Sequence, residues 1–415
     1  MKRSFSPQRV IALAAVLAAT GVLTRAQTVS PGPVLAPELF DSQSVQRVDL
    51  RVNSADWEKL KQNFLSNEYY PADLVFNGQT VHNIGIRSRG LGSRSATKPG
   101  LRVDMNRYAD DQTFLGEHAF ILDNLTQDPS MVRETVTMKL FARLGIPAPR
   151  ESHVLLYVNN QFAGVYAAVE EIDKRFLARI FGIVAEDTQN DGYLFEFKFV
   201  EPWYFTYLGT DLEQYKLRFE AKTKENKSDH DKYAPIEELV RMVNDLPLDQ
   251  YLSVLGERLD LPATMRYVAA QAYVAQNDGL LGYAGMNNFY FYRLEGSPKH
   301  VFLAWDEDNA FKSLDFDLST RQDENVLVRR ALQIPELREA YNQGLRDAIA
   351  SADEPTGPDG TTWLEYEMRR ELDLVSQPIR DDQNKPYSVV DHEAARTMML
   401  DFAQNRSRVV RDQMR

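Results

Sequence analysis

Three features of the sequence predict an α+β chain. The N-terminal half reads as short alternating strands joined by hairpin turns, and the C-terminal third carries helical periodicity. Between them, two apolar strands end in a run of acids. With 415 residues, 43% hydrophobic and 26% charged, the composition is that of an ordinary globular protein, which excludes disordered and fibrous classes. There is no cysteine, so disulfide frameworks, thiolate zinc sites and a cysteine nucleophile are excluded together. The formal charge of −12 repels polyanions and argues against a nucleic-acid partner.

The first residues read as a secretory signal. Lys2, Arg3 and Arg9 precede an apolar, Ala-rich run over 10–23, and Thr24-Arg25-Ala26 offers small residues where signal peptidase reads. The run is about 14 residues where a bilayer span needs about 20, so no stable membrane span is expected once 1–26 is removed. Its loss takes away Lys2, Arg3, Arg9 and Arg25 and no acid, which moves the net charge to −16. The expected location is secreted, periplasmic or cell-surface. Residues 27–40 read as a Pro-, Ser- and Thr-rich linker before a domain over 41–412.

Strands are expected at 46–52, before a helix at 54–64, and at 74–76, where Asn77-Gly78 sets a hairpin. Further strands follow at 101–105 and 119–122. Asp128 and Pro129 mark a helix start ahead of Val132, Val136 and Leu140, and Gly145 with Pro147 ends it. Residues 153–158 and 162–169 form a second hairpin through Asn159-Asn160, and a helix over 173–181 stops at Gly182. After a strand at 193–197 come a Lys-rich turn at 222–232 and a helix following Pro235. A helix over 262–275 runs into Asn277-Asp278-Gly279, then strands at 288–293 and 300–304 lead to a helical remainder.

Chemistry concentrates at Trp305-Asp306-Glu307-Asp308-Asn309. Carboxylates at the end of an apolar strand are costly unless a cation or donors receive them, and oxygen-only clusters suit Mg²⁺. A solvated acidic turn would carry the same letters. An Asp in a loop after a helix, an Asn leading a strand and a hairpin return ending in Asp is the order phosphoryl-transfer enzymes use. Asp278, Asn288 and Asp306 follow it, although Asp278 could equally belong to a helix C-terminal turn. Arg87, Arg89, Arg94, Lys98 and Arg102 form a basic island among Gly and Ser in an acidic chain, which suits a triphosphate or, alternatively, pairing with neighbouring carboxylates. No HExxH, GxSxG or Walker A sequence is present.

Taken in order, IRSRGLGSRSATKPGLRVDM (86–105), NLTQDPSMVRETVTMKLFARLGIPAP (124–149), VNNQFAGVYAAVEEIDKRFL (158–177), GYLFEFK (192–198), NNFYFYR (287–293) and FLAWDEDNAF (302–311) resemble the spore-coat H (CotH) kinase family. The resemblance implies an atypical protein-kinase-like, two-lobed fold. Its N-lobe, about 41–170, would hold an antiparallel sheet with a helix, and its C-lobe, about 171–412, would be mostly helical and carry a catalytic hairpin. It also implies ATP and Mg²⁺ or Mn²⁺ as cofactors and a protein hydroxyl as phosphoacceptor. By motif, Asp306 takes the metal-binding role with Asp308 beside it, Asn288 is the second metal ligand, and Asp278 is the catalytic aspartate. Arg87, Arg89, Arg94, Lys98 and Arg102 would meet the nucleotide. Glu134 would pair with a phosphate-binding cation or face solvent, and Glu170 falls where a hinge would meet adenine. The gap from Asp278 to Asn288 is longer than in ordinary kinases. Two other classes compete: a kinase-like assembly or binding protein without catalysis, and a metal-dependent hydrolase using Asp278 and Asp306.

Overall fold

The computed structural model describes residues 38–184, 187–188 and 190–415; the signal segment and most of the linker lie outside them. Seven strands form a closed barrel: β1 (Gln46–Val52), β2 (Tyr70–Phe76), β3 (Gln79–Ser88), β4 (Leu101–Asp104), β5 (Ala119–Asp123), β6 (Glu151–Val158) and β7 (Gln161–Glu170). The hairpin turns are those the sequence predicts, with Asn77 and Gly78 at φ 48° and 78° and Asn159 and Asn160 at 51° and 67°. The expected antiparallel sheet is corrected in one respect. Its two ends meet, because β1 lies parallel to β6 with Gln46 opposite Val154 and Leu50 opposite Val158. Closure removes the exposed edges an open sheet would leave.

Alternation explains the composition of the strands. Phe120 and Leu122 of β5 and Tyr166 and Ala168 of β7 fill the barrel, while Ile121, Val165, Ala167 and Val169 face outward into a second, larger hydrophobic cluster. Both faces are buried, so these strands read as continuous apolar runs. Leu39 and Phe40 are also buried in the barrel cluster, so the linker ends before residue 39 rather than at 40. Helix α1 (Ser54–Gln62) lies between β1 and β2, and α2 (Arg133–Arg143) follows β5. Helix α2 starts four residues later than Pro129 suggests. Asp128 still receives the N–H groups of Ser130, Val132 and Arg133, but Met131 at φ 60° keeps 129–131 out of the helix.

Helix α3 (Lys174–Phe181) is capped by Asp173, and a two-residue ribbon of β8 (Ile183–Val184) and β9 (Asp187–Thr188) follows. A second sheet, entirely antiparallel, has the order β11-β10-β12-β13, built from β10 (Tyr193–Phe197), β11 (Phe219–Ala221), β12 (Phe289–Arg293) and β13 (His300–Ala304). Its aromatic face joins Phe197, Trp203, Phe219, Phe289 and Phe302 in stacked and edge-on pairs. The helical body comprises α4 (Leu212–Lys216), α5 (Asp229–Asp245), α6 (Leu261–Tyr273), α7 (Val326–Ala331), α8 (Pro335–Ala352), α9 (Trp363–Asp381) and α10 (Val389–Gln413). Helix α5 begins six residues before Pro235, capped by Ser228. Proline at 235 cannot donate to the Asp231 carbonyl, and Arg293 donates to it instead at 3.2 Å.

Buried ion pairs fasten the barrel to the helical body. Lys98 meets Asp382 at 2.8 Å with both side chains buried, and the same carboxylate receives the Val165 N–H at 3.1 Å. Asp382 can enter because Gly164, at φ 136°, has no Cβ; one would lie 2.6 Å from the carboxylate oxygen. His153 of β6 hydrogen-bonds Glu371 of α9 at 3.0 Å, and Lys139 and Arg370 pair with the same carboxylate.

Burial pushes the Glu371 carboxyl up, but the hydrogen bond and charge of His153, with Lys139 and Arg370, hold it down to about 2. The depressed value adds stability that is complete above the unfolded carboxyl range and is lost as pH falls through about 4.5 to about 2, on the order of 3 kcal/mol. Glu371→Gln is therefore expected to destabilise the protein by about 3 kcal/mol at pH 7. In urea unfolding at stepped pH, the gap between parent and variant should close below about pH 4; a pH-independent gap would contradict this.

Candidate active site

Pairing of β12 with β13 brings distant acids together. Phe289 lies opposite Ala304, so Asn288 before β12 and Asp306 after β13 emerge at the same end of the hairpin. Both adopt left-handed backbone, at φ 56° and 54°, which costs a non-glycine residue of order 1 kcal/mol or more and persists only where surroundings enforce it. Asp278 arrives from the C-terminal end of α6. Its Oδ2 accepts from Asn288 Nδ2 at 3.1 Å and from Asn287 Nδ2 at 3.3 Å. With its nitrogen donating to Asp278, the Asn288 amide keeps its oxygen as the atom able to face a cation.

Glu307 locks these loops together. Its side chain is fully buried and accepts from Tyr267 at 2.8 Å, Gln271 at 2.8 Å and Gln276 at 2.6 Å. Gln276 in turn accepts the Asp278 N–H at 3.0 Å, and Gln271 accepts that of Leu280 at 3.0 Å. Burial pushes the Glu307 carboxyl up to about 7 despite these donors. Asp306 and Asp308 face the other way, into a cleft of about 620 Å³ between the barrel and the β10–β13 sheet.

That cleft collects most of the residues singled out from the sequence. Asp278, Asn288, Asp306, Asp308, Arg87, Arg89, Arg94, Arg102 and Glu134 all line it. Arg89 reaches Asp123 at 3.2 Å and lies over the Trp305 ring; burial alone would press its pKa down, but Asp123 and Asp306 hold it up. Arg94 donates to the carbonyls of Gly90, Phe64 and Ser66 and so pins the basic loop. Burial, with Arg87 and Arg89 as like-charged neighbours, lowers the Arg94 pKa. Arg102 pairs with Glu171 at 2.8 Å.

Two expected residues are elsewhere. Lys98 points away from the cleft into the buried pair with Asp382, because an ammonium buried under the barrel requires a carboxylate. Glu170 is buried behind the strand, where it receives Arg150 and Arg179. Successive strand residues face opposite ways, so Glu171, not Glu170, turns to the cleft. Glu134 is present, but no cation among the described residues lies within ion-pair distance of it.

Several lining residues were not anticipated. Asp123 ends the apolar strand β5 much as Asp306 follows β13, so the same sequence signal was available. Glu196, Lys198, Glu220 and Lys222 come from two Glu-x-Lys repeats that pair with Glu196 opposite Glu220, and each Glu meets both lysines within 2.7–3.1 Å. Only the register reveals that square of charges.

The acids fit a divalent cation by their electrostatics. Burial, then Asp123, pushes the Asp306 carboxyl up to about 6 while Arg89 opposes them, and Asp278 adds to the rise. Asp308 is raised well above the usual range by burial and Asp306. Added positive charge would relieve both. Among the described residues no group of three or more His, Cys, Asp or Glu forms a ready metal cluster. Mg²⁺ commonly needs only one or two carboxylates with water and substrate phosphates, so this set remains compatible with it.

A family model described as CotH kinase protein matches residues 86–352. Inner spore coat protein H of Bacillus subtilis (strain 168) is 22% identical over 383 residues, covering 88% of this chain and 96% of that protein. A crystal structure of the Helicobacter pylori proinflammatory kinase CtkA is 12% identical, covering 78% of this chain and 94% of its own, at a TM-score of 0.28. A score that low carries no argument about architecture.

Removing the bridge between the two acidic loops has a specific consequence. Gln276→Ala leaves Glu307 short of a donor and frees the Asp278 N–H, at a cost of about 1–3 kcal/mol. Hydrogen exchange should then quicken in both 277–280 and 305–309, although the substitution touches one loop only. Faster exchange confined to 277–280 would rule out the coupling.

Proposed function

We propose that this chain, which belongs to the CotH kinase family, is an exported, ATP- and Mg²⁺-dependent protein kinase that transfers a phosphoryl group to protein hydroxyls. The carrying observation is the meeting of Asp278, Asn288, Asp306 and Asp308 with Arg87, Arg89, Arg94 and Arg102 in one cleft. On this reading the barrel is the N-lobe, to about residue 170. The rest, to about 412, is the C-lobe, and β12–β13 is the catalytic hairpin.

Arg87, Arg89 and Arg102 meet the phosphates, with Arg94 holding their loop in place. Asp306 and Asp308, aided by the Asn288 amide oxygen, hold the metal. When bound, Mg²⁺ or Mn²⁺ supplies Lewis-acid neutralisation of phosphate oxygens. Asp278, oriented by Asn287 and Asn288, receives the proton of the acceptor hydroxyl. The acceptor oxygen bonds to the γ-phosphorus as the bridge to the β-phosphate breaks, and ADP leaves with that electron pair.

Segment 1–26 is read as a cleaved signal, which gives a secreted, periplasmic or surface location; the mature protein is expected to begin at Gln27 on N-terminal sequencing. A second reading, a kinase-like assembly protein without catalysis, is supported by the name of the spore coat relative.

The readings separate by experiment. Incubated with labelled ATP and Mg²⁺, the mature protein is expected to label itself or an added protein. Asp306→Ala should abolish the signal without lowering the melting temperature, and Asp278→Asn should cut it by about 10²–10⁴. Nucleotide binding with no transfer by the parent would favour the assembly reading. Undiminished labelling by Asp306→Ala would remove the metal assignment.

A further inference from the structure

Lys312 follows the acidic run, outside the motif letters, and plays no part in the assignments above. Lys312 is an exposed residue whose ammonium donates to Asn309 Oδ1, and Asn309 Nδ2 donates to Asp308 Oδ1 at 2.9 Å. Asn309 and Asp308 both line the cleft, so this short chain reaches inward. The backbone that carries Lys312 is held on both sides. Phe311 N–H donates to the Val274 carbonyl at 2.7 Å at the end of α6. Two residues on, buried Arg406 donates to the carbonyls of Leu314 at 2.7 Å and Phe316 at 3.0 Å.

Arg406 also takes the Ala272 and Tyr273 carbonyls at 2.7 and 2.9 Å, so one guanidinium ties the end of α6 to the Lys312 segment. Lys312 is thus a flexible four-carbon arm on a fixed base.

Its charge reaches two acids that line the cleft. Asp278 and Asp308 each have Lys312 as a cationic neighbour that opposes their burial. On the kinase reading, one cation therefore neighbours both the proton acceptor and a metal-holding acid. Asn309 occupies only one of the three ammonium donors among the described residues, which leaves capacity for a phosphate oxygen.

We propose that Lys312 is a catalytic residue that contacts an equatorial oxygen of the γ-phosphoryl group during transfer, from the acceptor side. The inference rests on the kinase reading above. The arginine loop then grips the phosphates on the nucleotide side, while Lys312 meets the charge that shifts as the bridge oxygen departs. Such donors are worth most where charge moves, so its loss falls on kcat rather than on nucleotide affinity.

The test compares the parent with Lys312→Met and Lys312→Arg, using Mg²⁺-ATP and the best acceptor found for the parent. Lys312→Met is expected to lower kcat by about 10²–10³. KM and the calorimetric dissociation constant for Mg²⁺-ATP should stay within about threefold and the melting temperature unchanged, and Lys312→Arg should restore at least about tenfold of the loss, the pattern of one lost transition-state contact. A Lys312→Met enzyme with kcat within twofold of an active parent would overturn the role of Lys312 and leave the kinase reading standing. A fall in nucleotide affinity matching the fall in rate would make Lys312 a ground-state ligand and equally overturn the proposal. A parent that binds but never transfers would remove the kinase reading and, with it, this inference.

Discussion

A single buried carboxylate organises the centre of this molecule. Glu307 sits between two acids that must face the cleft, and Tyr267, Gln271 and Gln276 draw it the opposite way. A charge-bearing group with no cation partner is expensive to bury, and three donors offset that cost only if α6 presents them at the right height. Because Gln276 and Gln271 also receive the N–H groups of Asp278 and Leu280, the position of one acidic loop follows from that of the other. Left-handed backbone at Asn288 and Asp306 flanks the same clamp. The site is therefore preorganised by hydrogen bonds away from the chemistry, on the rigid end of a helix and the end of a hairpin.

The walls of the cleft belong to different bodies, and their separation is fixed by ion pairs that never touch its contents. Lys98–Asp382 and the Glu371 cluster run between the barrel and α9. Chains without cysteine have no covalent fastening available, and these contacts occupy the place such links would take. Buried pairs of this kind add less stability than their number suggests, yet they tolerate few alternative registers, which suits a cleft that must keep its width.

Much of the local structure could be read from the residues. Asn-Gly and Asn-Asn turns, Gly145 and the acids at strand ends each carry a mechanism that acts within a few residues, and their strands and turns fall close to where the sequence puts them. Features set by distant partners were hidden. Parallel closure of β1 on β6 depends on a strand more than a hundred residues away, and Met131 delays α2 through a backbone angle that no side-chain rule predicts. Lys98 and Arg89 look alike in a basic loop, and only burial separates the ion pair beneath the barrel from the cation in the cleft. The Glu170 and Glu171 pair turned on strand parity, which one residue of register decides.

Closure of the barrel also constrains how the chain comes to be folded. Strand β1 finds its second partner only when β6 exists, since Leu50 pairs with Val158. At about 5–20 residues per second, synthesis leaves one edge of β1 open for roughly 5–20 s after it emerges. During that interval the first hairpins form a sheet with a free row of N–H and C=O groups, able to recruit a strand from another nascent copy. The step that seals the structure is thus a late, long-range pairing of the kind that slows folding. A holdase that shields the β1 edge would matter more to the yield of this protein than one acting on its helices.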